Sequence, residues 1–343
     1  MPIFGRGGKK TKQPVGGTTP APPVQAPPAP AQADAGLPEA RTIPGDGDSE
    51  LLRLLKVAET RDWTELRAGV SEYSDDNLTS LLGNVCAQSP SMSDWLPEAV
   101  GPDPEDALAQ AFLGALAIER AWRVRTGKLA QHVSQEQFRE FHRILREAEE
   151  HLYRSAELDR KSAAPWYSLL ISGRGLEVGL DVQQSRFEAL TERSPGHLGA
   201  HRQMLQQLCA KWSGSHEQMH AFATEAMRGP YGEDLGVLIP VAYNEHVTRL
   251  DKDSPERGFI KSAESRAELQ EAADRTIFRP GFAPARNPYL AANTFGWAFC
   301  AAGMWPQSRA AYEATEGVVV KWGGFTDPVA AYTRNRALAF RNS

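Results

Sequence analysis

The sequence predicts an all-α protein, with stacked helical hairpins behind a disordered N-terminal tail. Three observations carry this. Apolar residues recur at intervals of three and four from Ser49 onward, no stretch alternates apolar and polar residues as a strand would, and the chain matches itself at a shift of 35 residues. They place a tail at residues 1–48 and an all-helical, repeat-like domain at 49–341, most regular at about 140–230 and 287–317.

The tail holds ten prolines and almost no large apolar side chains, so it buries too little surface to offset its ordering entropy. Its run from Pro20 to Pro30 is expected to stay extended. Arg6, Lys9, Lys10 and Lys12 beside Ile3 and Phe4 form a basic end that is expected to be solvated. This end lacks the apolar centre of a secretory signal.

In the body, Leu51, Leu52, Leu54, Leu55 and Ala58, then Trp63, Leu66 and Val70, predict two short helices. A third follows Asp75 through Leu78, Leu81, Leu82 and Val85. Ser89-Pro90-Ser91 and the stretch Pro97 to Pro104 predict a long connection, with helix resuming near Asp103 because Pro104 suits a first turn. Ser134 to Arg160 is a long amphipathic stretch through Phe138, Phe141, Ile144, Leu145, Ala148 and Leu152.

The 35-residue shift pairs Phe187 with Phe222, Pro195 with Pro230, Leu169 with Met204 and Leu170 with Leu205. One step earlier, Leu152 and Arg160 hold the places of Phe187 and Pro195. Two helical stretches per period, each pair closed by a turn residue, are what stacked hairpins produce; each hairpin has an apolar face that its neighbour must cover.

Trp166-Tyr167-Ser168-Leu169 resembles the opening Trp-x-x-Leu of the tetratricopeptide repeat, with Phe187 and Pro195 near that family's later aromatic and closing proline. Gly296, Phe299, Gly303 and Tyr312 are spaced like its small residue, mid-helix aromatic, hairpin turn and second-helix aromatic. The period is 35 rather than 34, and Val182 or Gln183 stands where a small residue belongs. Pro165 to Leu170 and Lys211 to Ala223 are also similar to stretches of uncharacterised bacterial helical-repeat proteins.

The tetratricopeptide resemblance implies a right-handed α-solenoid whose first helices line a concave side. Its ligand-facing positions fall on Tyr167 and Arg174, on Arg202 and Gln206, and on Asn293 and Trp297. Such a set is expected to clamp an extended peptide of acidic character, with arginines meeting carboxylates in bidentate fashion.

His216-Glu217-Gln218-Met219-His220 is an H-E-x-x-H motif, in which two histidines one turn apart share a zinc ion and the glutamate acts as base. Asn244-Glu245 resembles the Asn-Glu found downstream in thermolysin-like peptidases. The alternative reading is therefore a zinc-dependent metallohydrolase, with His216, His220 and Glu245 as ligands and Glu217 as base. Against it, Ser215 and Gln218 form a capping pattern that puts His216 and Glu217 in the first helical turn. There the free N–H groups favour Glu217 and oppose a dication. The expectation is a helix start with surface histidines, no catalytic residue and no cofactor. The pair His197 and His201 has no acid between its members and is weaker still. Lys211-Trp212-Ser213-Gly214 and Lys321-Trp322-Gly323-Gly324 are expected to be turns in which the tryptophan packs and glycine releases the helix.

The 343 residues, 41% hydrophobic and 24% charged, suit a soluble protein with a sizeable core. The net charge of −5 is interspersed, which argues against nucleic acid as a partner. No run is long and apolar enough for a transmembrane segment. Cys86, Cys209 and Cys300 lie far apart, as expected of a reducing, cytoplasmic setting. The function expected is that of a non-enzymatic scaffold or adaptor for a protein or peptide partner.

Overall fold

The computed structural model describes residues 37–101, 104–126, 133–251, 253–284, 286–320 and 327–343. Among them the chain is all-α. The β contact found is one isolated bridge between Arg41 and Val318.

Helices α1 (Ser49–Thr60), α2 (Trp63–Ser71) and α3 (Asp75–Gln88) form where the apolar spacing predicts them. Asp48 and Asp62 cap the first two, their carboxylates accepting from the first free N–H groups.

The expected long connection is instead a helix, α4 (Met92–Val100), with Pro97 inside it. A mid-helix proline costs about 3 kcal/mol. Met92, Trp95 and Leu96 are buried on this one short helix, and at about 1.5–3 kcal/mol each they outweigh that cost. Helix α5 (Ala107–Arg125) starts after Asp106, later than the expected Asp103. Asp106 caps it through Leu108 N and Ala109 N, while the Pro104 carbonyl accepts from Gln110 Nε2 at 3.0 Å.

After α6 (Gln135–Leu158), whose capping box joins Ser134 and Gln137, come α7 (Ala164–Leu176), α8 (Leu180–Thr191), α9 (Leu198–Gln207) and α10 (His216–Arg228). The short α11 (Gly232–Leu235) leads into α12 (Leu238–Arg249) and a 3-10 helix at Pro255–Lys261. Then follow α13 (Ala263–Arg275), α14 (Leu290–Ala302), α15 (Trp305–Glu313) and α16 (Pro328–Asn342).

One row of helices packs in chain order: α1 on α3, then α5, α7, α9, α12, α14 and α16. The intervening helices pack against this row. Phe187 and Phe222, one 35-residue step apart, meet edge to face at 5.7 Å, and the His201 ring touches both. Gly296 lies under Tyr312, where a Cβ would come within 3.0 Å of the ring. Gly303, at φ 71°, ends α14 in the left-handed region.

Gln183 fits without a small residue because the neighbouring helix supplies the space. It is buried and donates to the Leu170 carbonyl at 3.0 Å, opposite Gly173.

Residues 38–48, which composition places in the tail, pack against the far end of the chain. Arg41 N donates to Gly317 O at 2.9 Å, Val319 N donates to Arg41 O at 2.8 Å, and Arg336 Nη1 donates to Pro38 O at 2.7 Å. Arg286 Nη1 lies 2.8 Å from Asp48 Oδ1. The partners are more than two hundred residues away, beyond the reach of local pattern. Residues 1–36, with the basic end, and Lys321-Trp322-Gly323-Gly324 lie outside the described residues.

No helix among the described residues is long and apolar enough to cross a membrane. Cys86, Cys209 and Cys300 are free and buried.

Candidate binding groove

Helices α7, α9, α12 and α14 line an open cavity of about 680 Å³. Its shape begins with His197, the N-cap of α9. The His197 Nδ1 accepts from Ala200 N at 3.0 Å, and its Nε2 lies 2.8 Å from Thr79 Oγ1 on α3. The imidazole stacks on Tyr167 at 5.7 Å, so one residue fixes both the start of α9 and the aromatic wall of the cavity. Arg202, Gln203 and Gln206 then follow, half-buried, along the face of α9 that lines the cavity.

Across from them stand Asn244, Glu245, Thr248 and Arg249 of α12. Glu245 is the polar hub. It lies 2.7 Å from Lys211 Nζ and accepts from Gln206 Nε2 at 2.9 Å, so the Lys211 charge is cancelled. Arg202 and Arg249 have no ion pair or hydrogen bond among the described residues. Asn244 is buried, and its Oδ1 has no hydrogen-bond partner. The cavity thus offers two guanidinium groups, while the unmatched Asn244 Oδ1 is buried away from it.

Of the six predicted ligand-facing residues, Tyr167, Arg202 and Gln206 line this cavity. Arg174 lies behind it and donates to the Gln203 carbonyl at 3.3 Å and to Gln203 Oε1 at 2.8 Å, with its guanidinium over Trp212. Burial lowers the pKa of Arg174. Asn293 is buried and turned toward the chain after α15, donating to Val318 O at 3.0 Å and accepting from Val320 N. Trp297 lines an adjoining cavity. Arg249 was not anticipated, and Asn244 was singled out only beside Glu245 in the zinc alternative.

The turn at Lys211-Trp212-Ser213-Gly214 behaves as expected, with Trp212 packed on the core and no room for a side chain at Gly214 beside the Leu208 backbone.

The H-E-x-x-H segment begins α10. Ser215 caps it, accepting from Gln218 N at 3.2 Å. Glu217 is exposed and is held below the usual carboxylate range, first by the Ser215 hydroxyl and then by its own backbone N–H.

His216 and His220 both face His246 of α12. The His220 Nε2 lies 3.2 Å from His246 Nδ1, while the His216 ring stacks parallel on His246 at 3.7 Å. Parallel rings direct their lone pairs along separate planes rather than to one point. Among the described residues no group of three His, Cys, Asp or Glu side chains is arranged to hold a metal ion. Glu245, the other suggested ligand, is turned to Lys211 and Gln206. Phe259 and Tyr243 complete an aromatic cluster around His220 and His246. Burial first, and then the neighbouring His216, push both imidazoles down to about 4.

Compared with protein-family models, curated proteins and solved structures, the chain matches none.

Proposed function

We propose that this protein is a non-enzymatic scaffold or adaptor, a right-handed solenoid of tetratricopeptide-like hairpins whose groove holds an extended acidic segment of a partner protein. The carrying observation is that Arg202 and Arg249, neither paired among the described residues, share one cavity with Tyr167. Guanidinium groups suit carboxylates, so the pair favours an acidic segment. Tyr167 adds an apolar wall.

The groove hydroxyls favour binding over turnover. Thr248 donates to Asn244 O at 2.8 Å and Thr294 to Leu290 O at 2.7 Å, so neither is aimed at a base. No observation favours the zinc-dependent alternative.

The test is fluorescence anisotropy of a fluorescein-labelled peptide carrying one run of three glutamates. Saturable binding is expected that weakens with salt, with Arg202→Ala and Arg249→Ala each weakening it about tenfold. Equal binding of a peptide with three lysines, or unchanged binding by the double variant, would overturn the reading.

A further inference from the structure

A second open cavity, of about 730 Å³, lies on the other side of Thr248, which lines both. The end of α12, the 3-10 helix Pro255–Lys261, α14 and α16 supply its walls. Trp297, one turn beyond Thr294 of the first cavity, contributes an apolar surface that is only 9% exposed.

Its lining also carries more cationic than anionic side chains. Lys261 and Arg334 are exposed and have no ion pair or hydrogen bond among the described residues. Two carboxylates share the lining, Asp253 and Asp327, and the second of these is committed to capping α16 through Ala330 N at 2.9 Å. The lining therefore sets Arg257, Lys261 and Arg334 against Asp253 and Asp327, a net positive charge beside Arg202 and Arg249 of the first cavity, in a chain whose net charge is −5.

We infer that the groove continues across α12, and that the second cavity takes a second acidic cluster of the same extended peptide. This rests on the peptide-binding reading above and adds the chemistry of the partner, two acidic clusters in tandem on one segment. A peptide suits these walls better than a nucleic acid strand. Trp297 is too covered to stack a base, and Asp253 on the lining can accept a peptide N–H.

Three fluorescein-labelled peptides test it by anisotropy: one run of three glutamates, six glutamates in one uninterrupted run, and two runs of three joined by a Gly-Ser spacer of varied length. The spaced peptide is expected to bind about tenfold or more tighter than the uninterrupted one of equal charge, at an optimal spacer. The variant Lys261→Ala with Arg334→Ala is expected to remove that gain and leave binding of the single run unchanged. Both side chains are exposed and unpartnered, so the fold has no stake in them.

A spaced peptide no tighter than the uninterrupted one overturns the second subsite and leaves the first standing. Failure of the single run to bind overturns both. A ten-residue oligothymidylate that binds as tightly as the spaced peptide, and loses affinity equally in the double variant, replaces the proposal with a general polyanion surface.

Discussion

Arg186 on α8, with 5% of its side chain exposed, donates to both carboxylate oxygens of Glu149 on α6 at 2.9 Å, to Leu169 O at 2.8 Å and to the Tyr153 hydroxyl at 2.9 Å. A buried ion pair returns its desolvation cost only when such further bonds are made, and removing one partner strands the other charge. Arg186→Ala is therefore expected to lower stability by about 3–5 kcal/mol in urea unfolding. Gly173 lies against this network, where a Cβ would crowd Arg186 Nη1 and come within 3.0 Å of Gln183 Oε1. Gly173→Ala should cost about 1–3 kcal/mol as an overpacking change, and a neutral result would mean the network is looser than its distances indicate. The histidine cluster gives a pH dependence of definite sign. His220 and His246 titrate near 4 in the fold but near 6.5 in the unfolded chain, so the unfolded state binds more protons between those values. Their contribution is complete above pH 6.5 and is lost as pH falls toward 4, by roughly 2–3 kcal/mol for His220. Urea midpoints at pH 7 and pH 4.5 measure the loss, and His220→Asn should flatten its share.

Where two helices approach, one small residue sets the distance. Gly114 of α5 faces Leu152 of α6, and a Cβ there would fall 2.6 Å from Leu152 Cγ. Gly114→Ala is expected to cost about 1–3 kcal/mol by forcing the two longest helices apart, and adding Leu152→Ala should recover part of the loss in a double-mutant cycle. Helices α1, α2 and α6 were legible because each keeps an unbroken apolar stripe and a capping side chain at its start, and α3 by its apolar stripe. Helix α4 was hidden by Pro97, since a breaker is visible in sequence while the burial of Trp95 and Leu96 that overrules it is not. The groove was half legible for a related reason. Tyr167, Arg202 and Gln206 lie on helices whose face the resemblance assigned, whereas Arg249 and Asn244 lie on α12, in a stretch that fits the repeat poorly. Glu245 was suggested beside the H-E-x-x-H segment, and the structure turns the next residue, His246, there instead: adjacent helical residues point about 100° apart, and the roll of α12 against α10 is a tertiary property.

Across the whole molecule, the row of helices is joined to itself by contacts between its two ends. Residues 38–48 run beside Gly317, Val318 and Val319, and both valines are only 1% exposed. Gly317, at φ 78°, approaches the strap so closely that a Cβ would lie 2.6 Å from Glu39 O. The Arg286–Asp48 pair, both side chains largely buried, ties the same strap to the approach to α14, and Asp48 also caps α1. Helices α5 and α6 share the most extensive helix–helix contact among the described residues and depend chiefly on each other, whereas the clasp acts on the last helices of the row. Deleting residues 1–43 should thus speed amide exchange at Val318, Val319 and α16 and leave α5 and α6 protected. Gly317→Ala should do the same more weakly, by straining the left-handed backbone and pressing on Glu39. The thermal midpoint should fall by roughly 2–4 °C for each kcal/mol lost. Uniformly faster exchange along the chain would mean that the strap holds one cooperative unit together, and unchanged exchange at Val318 and Val319 would mean that it holds nothing.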